Sequence, residues 1–258
     1  MARRNKLWRF AQLQSYDNYY EASVDGPRPG HEVIGSSGEP EDMRGRWARD
    51  HFGNDNPITL ELACGRGEYT VALARAHPDR NFIGVDIKGA RIYQGATELR
   101  EEGVTNAAFL RTRIEFIDHF FALGEVDEVW ITFPDPFPGS VNRRLTSPRF
   151  WTSYARLVRC GGYVHLKTDN EGLYDYTVNE LDAAHLRHFT EVANYHDIDA
   201  EPQLPHPELA YPTYYERKHR GLGATIKWVS WQRNELAPPS PFRYGAEAAP
   251  TSTHEAED

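Results

Sequence analysis

Cysteine is scarce in this 258-residue chain: Cys64 and Cys160 are the two. They lie far apart and beside glycines, which suits neither a disulfide framework nor a cysteine-rich metal site, so both read as small buried residues. Long hydrophobic runs are missing as well. No stretch approaches the roughly 18 apolar residues of a transmembrane helix, and the opening "MARRNKLWRFAQ" leads into no apolar core or small-residue cleavage site. A soluble, cytoplasmic chain without a membrane partner is expected. Positive charge is not in excess either. A formal net charge of -9 argues against a surface coated in positive potential, as general nucleic-acid binders present. Its distribution is uneven, however: "ARRNKLWR", "NRRLTSPR" and "ERKHR" are locally basic and able to hold phosphates, whereas "GEPED" and "HEAED" are acidic.

The length fits one large domain with appendages. Residues 1–24 read as a basic N-terminal arm. Residues 25–50, rich in Gly, Pro and charge, read as a flexible connection. Residues 51–233 form the folded domain, and residues 234–258 are too polar and Pro/Ala-rich to pack, which predicts a disordered tail.

Within the domain, β-rich runs alternate with helical ones: "ITLELA", "EYTVALARAH", "NFIGVDI", "ARIYQGATELREE", "AAFLRT", "EFIDHFFAL", "EVWITF", "SPRFWTSYARLV", "GYVHLKT" and "EGLYDYTVNELDAA". This alternation predicts an α/β fold with parallel strands and crossover helices on both faces. A further strand lies near "FTEVANY". The closing "TIKWVSW" has no long helix before it and reads as an antiparallel strand at the sheet edge.

"LELACGRGEY" joins the first of these strands to a helix through Gly65 and Gly67, and Asp86 follows at the tip of the next strand. Glycines let a backbone approach a ligand, and an acid at the second strand's tip accepts bonds from ribose hydroxyls. Thr70 stands where a dinucleotide motif has its third glycine, which disfavours a diphosphate cofactor. A phosphate-free adenosine compound such as S-adenosylmethionine fits better, with Glu61 as the carboxylate that holds its amino-acid end.

"ITFPDPFPG" ends the fourth strand, which in a doubly wound sheet lies beside the first, at the switch point where ligands bind. Pro134 and Pro136 fix their own φ and push the residues before them towards extended backbone. Asp135 is thereby preorganised beside the donor. Amino-group methyltransferases place an Asp or Asn before Pro-Pro-aromatic at this strand end; Asp135-Pro136-Phe137 is similar but one proline shorter.

Several motifs in order, "LELACGRGEYTVALARAHPDRNFIGVDIKGARI", "EVWITFPDPFP", "RRLTSPRF", "GGYVHLKTD" and "TYYERKHRGLG", resemble those of the bacterial tRNA (guanine-N7)-methyltransferases across roughly residues 5 to 232. The resemblance implies a Rossmann-like seven-stranded methyltransferase sheet, mostly parallel with an antiparallel last strand. It also implies S-adenosylmethionine as methyl donor, no metal, and transfer to N7 of a variable-loop guanine of tRNA. By motif, Glu61, Gly65, Gly67 and Asp86 would bind the donor, and Asp135 would be catalytic and donor-facing. Asp169, Thr213, Tyr214, Tyr215 and Glu216 would hold the guanosine. Two positions depart from the family: Gly139 replaces an expected substrate-binding lysine, which shifts RNA grip to Arg143 and Arg144, and Arg113 stands where an Asp or Asn often contacts the donor. Alternatives are an amino-methyltransferase acting on another substrate and a non-catalytic donor- or RNA-binding subunit. A monomer and a homodimer are equally compatible with the sequence.

Overall fold

Short extended runs and amphipathic helices alternate along the chain, and the sheet they build follows from which strands are apolar on both sides. The structure, a computed structural model, describes residues 2–22, 31–181 and 184–240. In chain order the elements are α1 (Ala2–Leu13), β1 (Tyr19–Glu21), β2 (Val33–Ile34), β3 (Pro40–Glu41), β4 (Ile58–Leu62), α2 (Glu68–Ala76), β5 (Asn81–Asp86), α3 (Gly89–Glu102), β6 (Ala107–Arg111) and β7 (Val126–Thr132). They continue with α4 (Pro148–Leu157), β8 (Val158–Thr168), α5 (Glu171–Asp175), β9 (Phe189–Tyr195), α6 (Tyr214–Arg220) and β10 (Lys227–Arg233).

Among the described residues, one sheet collects ten strands in the order β3-β2-β1-β6-β5-β4-β7-β8-β10-β9. The seven strands expected from the sequence are β4 to β10. β4, β5, β6, β7 and β8 run parallel to their neighbours in this series, and β10 is antiparallel to both β8 and β9. The last strand is therefore antiparallel but not at the edge. Its residues are almost all buried, with Val229 and Trp231 in the core, and two strand neighbours cover it. The polar β9, mostly exposed, takes the edge instead.

The opposite edge grows by three strands that the sequence pattern did not reveal. β1 pairs parallel with β6, and β2 and β3 follow as antiparallel ribbons. β2 and β3 fall within residues 25–50. Each is two residues long, too short to leave a period in the sequence. Two helical runs also differ from expectation: "EFIDHFFAL" supplies a 3-10 turn at Ile114–His119, and α5 passes after five residues into a π-type turn at Tyr176–Glu180. The expected disorder of the tail falls largely on residues 241–258, outside the described residues.

Helices cover both faces, and each face has its own core. Leu60, Leu62, Val129 and Ile131 pack with Phe150, Trp151 and Tyr154 of α4. Trp130 points the other way, into a second core with Tyr69 and Leu73 of α2 and Ile92 and Leu99 of α3. This is the period-two alternation of a strand buried on both sides. Cys64 is buried as expected, whereas Cys160 is exposed at the start of β8.

Candidate active site

Because β4 and β7 are neighbours in the sheet, the glycine loop after β4 and the Pro-Asp-Pro loop after β7 open on the same end. Between them lies a cleft of about 740 Å³, lined on one side by Glu61, Gly65, Asp86 and Arg113, and on the other by Asp135, Asp169, Tyr214 and Tyr215. Thr213 and Arg143 also face it.

The glycine loop is held by the acid that follows it. Asp86 Oδ2 accepts from the Gly65 backbone N–H at 3.0 Å, and Oδ1 accepts from the Lys88 N–H at 2.7 Å. Gly65 has a φ of 58°, left-handed backbone that glycine adopts without strain. A Cβ there would meet only the Ala63 carbonyl at 4.0 Å, so the loop leaves open space above it. Gly67 has a different task. It does not line the cleft, and a Cβ on it would stand 2.5 Å from the Phe109 ring, so its smallness serves the packing of α2 against β6.

Glu61 is buried on β4 with both oxygens engaged. Oε2 accepts from the Thr70 backbone N–H at 2.9 Å and from the Thr70 hydroxyl, and Oε1 accepts from the Thr132 hydroxyl at 2.7 Å. Burial pushes its carboxyl up to about 7, and the threonine bonds oppose that rise without cancelling it. Thr70, read from the sequence only as a missing glycine, is thus the main partner of the buried acid.

Asp135 is exposed in the cleft on a backbone that is strained on both sides. Phe133 and Phe137 have φ of 47° and 40°, not the extended conformations expected before a proline, and bulky residues rarely adopt such values. Surrounding bonds hold them there. The Phe133 N–H donates to the Lys167 carbonyl at 2.8 Å, the Phe137 carbonyl accepts from Ser140, and the Pro136 carbonyl accepts from Arg144 Nε at 2.9 Å.

Arg143 and Arg144, paired in the sequence reading as an RNA grip, point in different directions. The Arg143 guanidinium lies 4.3 Å over the Phe137 ring at the cleft wall. Arg144 is buried, bonded to Pro136 and stacked 4.5 Å over Tyr176, so it braces the Asp135 loop from behind and does not face the cleft.

The far wall is built by the start of α6 and the end of β8. Thr213 caps α6 by accepting from the Glu216 N–H at 3.1 Å. Tyr214 and Tyr215 are 45% exposed and meet edge to face, and the Arg66 guanidinium lies 5.0 Å over Tyr214. Glu216 does not reach the cleft. It is fully buried, with Oε2 2.6 Å from Lys167 Nζ and Oε1 accepting from Arg220. Asp169 stands 2.8 Å from His219 Nδ1, which also lines the cleft. Lys167, His219 and Arg66 were not singled out from the sequence. All three lie inside quoted motifs, "GGYVHLKTD", "TYYERKHRGLG" and "LELACGRGEY", where only the fold distinguishes an inward from an outward side chain. Arg113 leans towards Glu115 at 3.8 Å and over Phe116.

Residues 55–229 match a family model described as "Putative methyltransferase". A tRNA (guanine-N(7)-)-methyltransferase of Porphyromonas gingivalis is 48% identical over 195 residues, covering 75% of this chain and 78% of its own length. Another of that name from Bacteroides fragilis is 42% identical, covering 92% of this chain and 90% of its own. This chain belongs to the tRNA (guanine-N(7)-)-methyltransferase family. Among solved structures, the 16S rRNA methyltransferase KamB superposes with a TM-score of 0.57 at 14% identity, covering 76% of this chain and 96% of that one. NpmB1, an aminoglycoside resistance methyltransferase, gives 0.51 at 12% identity, covering 75% and 95%. At such identities they share the sheet with this tRNA (guanine-N(7)-)-methyltransferase family member and nothing finer.

Proposed function

We propose that this chain methylates N7 of a guanine in tRNA with S-adenosylmethionine as donor. The observation that carries the reading is the placement of Asp135 between two unlike walls. On one side are Gly65, Asp86 and Glu61; on the other are Asp169 and two exposed tyrosines.

The first wall suits the donor. The open space over Gly65 admits a ligand against backbone, and Asp86 keeps unused lone pairs for ribose hydroxyls while it clips the loop. Glu61 is poised to take a cation: burial holds its carboxyl near 7, and a nearby ammonium group would draw it back to the ionised form. When bound, S-adenosylmethionine supplies an electrophilic methyl group on a sulfonium sulfur.

The second wall suits a purine. Tyr214 and Tyr215 offer exposed ring faces for stacking. Asp169 and Asp135 offer carboxylates that accept from guanine N1–H and N2–H. Guanine N7 carries an in-plane lone pair, so no proton has to leave and no general base is needed. The residues act by positioning the base, excluding water and placing negative charge beside the purine as it becomes cationic. Glu216 and Arg144 serve this geometry from behind, Glu216 by anchoring α6 to Lys167 and Arg144 by bracing the Asp135 loop. Arg143 remains at the cleft wall as the cation for phosphate.

Incubation with labelled donor and bulk tRNA, followed by nucleotide mapping, tests the reading. N7-methylguanine in the variable loop is expected; label on any other nucleotide, or none, overturns it.

A further inference from the structure

A second constellation lies on the same face of the sheet as Glu61, starting level with it at His165 and reaching two residues lower at Glu128. In register, Thr59 pairs with Glu128, and Glu61 and His165 both pair with Trp130. Glu128 sits four residues before Thr132 of the cleft, about 13 Å down the strand. Above this patch passes the segment that carries His206 and the 3-10 turn Pro207–Ala210.

Glu128, His165 and His206 each direct a ligand atom into one place, all within 4.8 Å of one another. His165 Nε2 is 2.8 Å from Glu128 Oε1, and His206 Nδ1 is 3.1 Å from Glu208 Oε2. Arg80 bonds Oε2 of Glu128 and Oε1 of Glu208, so each carboxylate turns its other oxygen towards an imidazole. Glu128, His165 and Glu208 are 6%, 1% and 2% exposed.

Hydrogen bonding leaves this group incomplete. Two buried carboxylates share one guanidinium, which bonds a single oxygen of each. Among the described residues, His206 Nδ1 and Glu208 Oε2 make no hydrogen bond despite their closeness, and buried His165 Nδ1 has no partner either. An ion placed between His206 Nδ1 and Glu208 Oε2 would partner both atoms.

We propose that Glu128, His165 and His206 form a binding site for a divalent late first-row ion such as Zn²⁺, with Glu208, beside His206, moving in as fourth ligand. Nitrogen and carboxylate donors in a four-ligand set match that ion. Two metal–ligand bonds of about 2.1 Å at a tetrahedral angle hold their donors about 3.4 Å apart, so the 2.8 and 3.1 Å contacts open by a few tenths of an ångström, while donors as far as 4.8 Å apart draw in by about an ångström. Arg80 then holds the two carboxylates from outside, as outer-shell partners do. His206 is partly open to solvent and supplies the entry path. The ion's role is structural: it clasps the segment that runs on to Thr213 and Tyr214 against β7 and β8.

The test uses the full chain without a histidine tag, stripped by chelator and titrated with Co²⁺ alone. Saturation at one Co²⁺ per chain, with the visible absorption of a four-coordinate site and displacement by Zn²⁺, is expected. His206→Ala and Glu208→Gln each weaken binding at least tenfold and abolish the rise in melting temperature that Zn²⁺ gives the parent. His31 and His119 face each other elsewhere, with Nδ1 atoms 3.0 Å apart, so His119→Ala is the control and keeps the spectrum. Absence of saturable binding in the parent, or an unchanged spectrum in folded His206→Ala, overturns the proposal and leaves a proton-sharing network in its place.

Discussion

Lys167 and Glu216 meet inside the protein with Nζ 2.6 Å from Oε2, and neither side chain reaches solvent. The pair ties the first turn of α6 to the end of β8, and so fixes Tyr214 and Tyr215 relative to Asp169. Burial draws the Lys167 ammonium below its usual range, and Glu216 pulls it back.

Removing one partner leaves the other charge buried. Glu216→Ala is expected to lose about 3–5 kcal/mol of stability, whereas Lys167→Met combined with Glu216→Leu loses less than either single change. Urea unfolding of the four proteins measures both; equal losses in single and double variants would show that the ion pair does not hold α6.

Glu61 makes stability depend on pH in a stated direction. Its carboxyl lies near 7 in the fold against an ordinary value of 4.5. Between those values the folded chain holds a proton that the unfolded chain has released, so this contribution falls as pH rises towards 7 and is level above. Glu61→Gln escapes the loss. It should gain about 3 kcal/mol on the parent between pH 4.5 and 8, and calorimetry should find donor binding weakened at pH 8.

The strained loop separates chemistry from donor affinity. Asp135→Ala is expected to lower single-turnover methyl transfer by about 10²–10³-fold, with a smaller loss in donor binding by calorimetry. Equal losses in the two would assign Asp135 to the donor alone.

Neighbouring arginines should behave differently. Arg143→Ala weakens tRNA binding and lowers the salt slope by about one, with little change in melting temperature. Arg144→Ala leaves the Pro136 carbonyl unpaired and costs about 1–3 kcal/mol of stability. A similar salt response in both variants would return Arg144 to the RNA.

These contrasts mark what the sequence could carry. The strand and helix alternation, the glycine loop and the Asp86 tip were legible because each is written in neighbouring residues. The pairing of β4 with β7 followed from strand count and the switch-point rule, and with it came the cleft. The inward turn of Arg144 and Glu216 was not legible, since a charged residue inside a motif looks alike whether it faces ligand or core. Phe133 and Phe137 gave no signal either, because their left-handed backbone is imposed by Lys167, Ser140 and Arg144 across the loop. Arg80, Glu128, His165 and the His206–Glu208 segment come from four separate stretches that only the finished sheet assembles.

The seating of β10 between β8 and β9 also sets a timetable. Strands β4 to β8 can join the sheet as each leaves the ribosome, but β9 touches the sheet only through a strand made after it. Until residues 227–233 arrive, β8 keeps an open edge, and Lys227 has yet to meet Asp169 and Glu171 at the end of that strand. The purine-facing half of the cleft is therefore completed last, so a chain still under synthesis can fold its glycine-loop half long before it can engage an RNA.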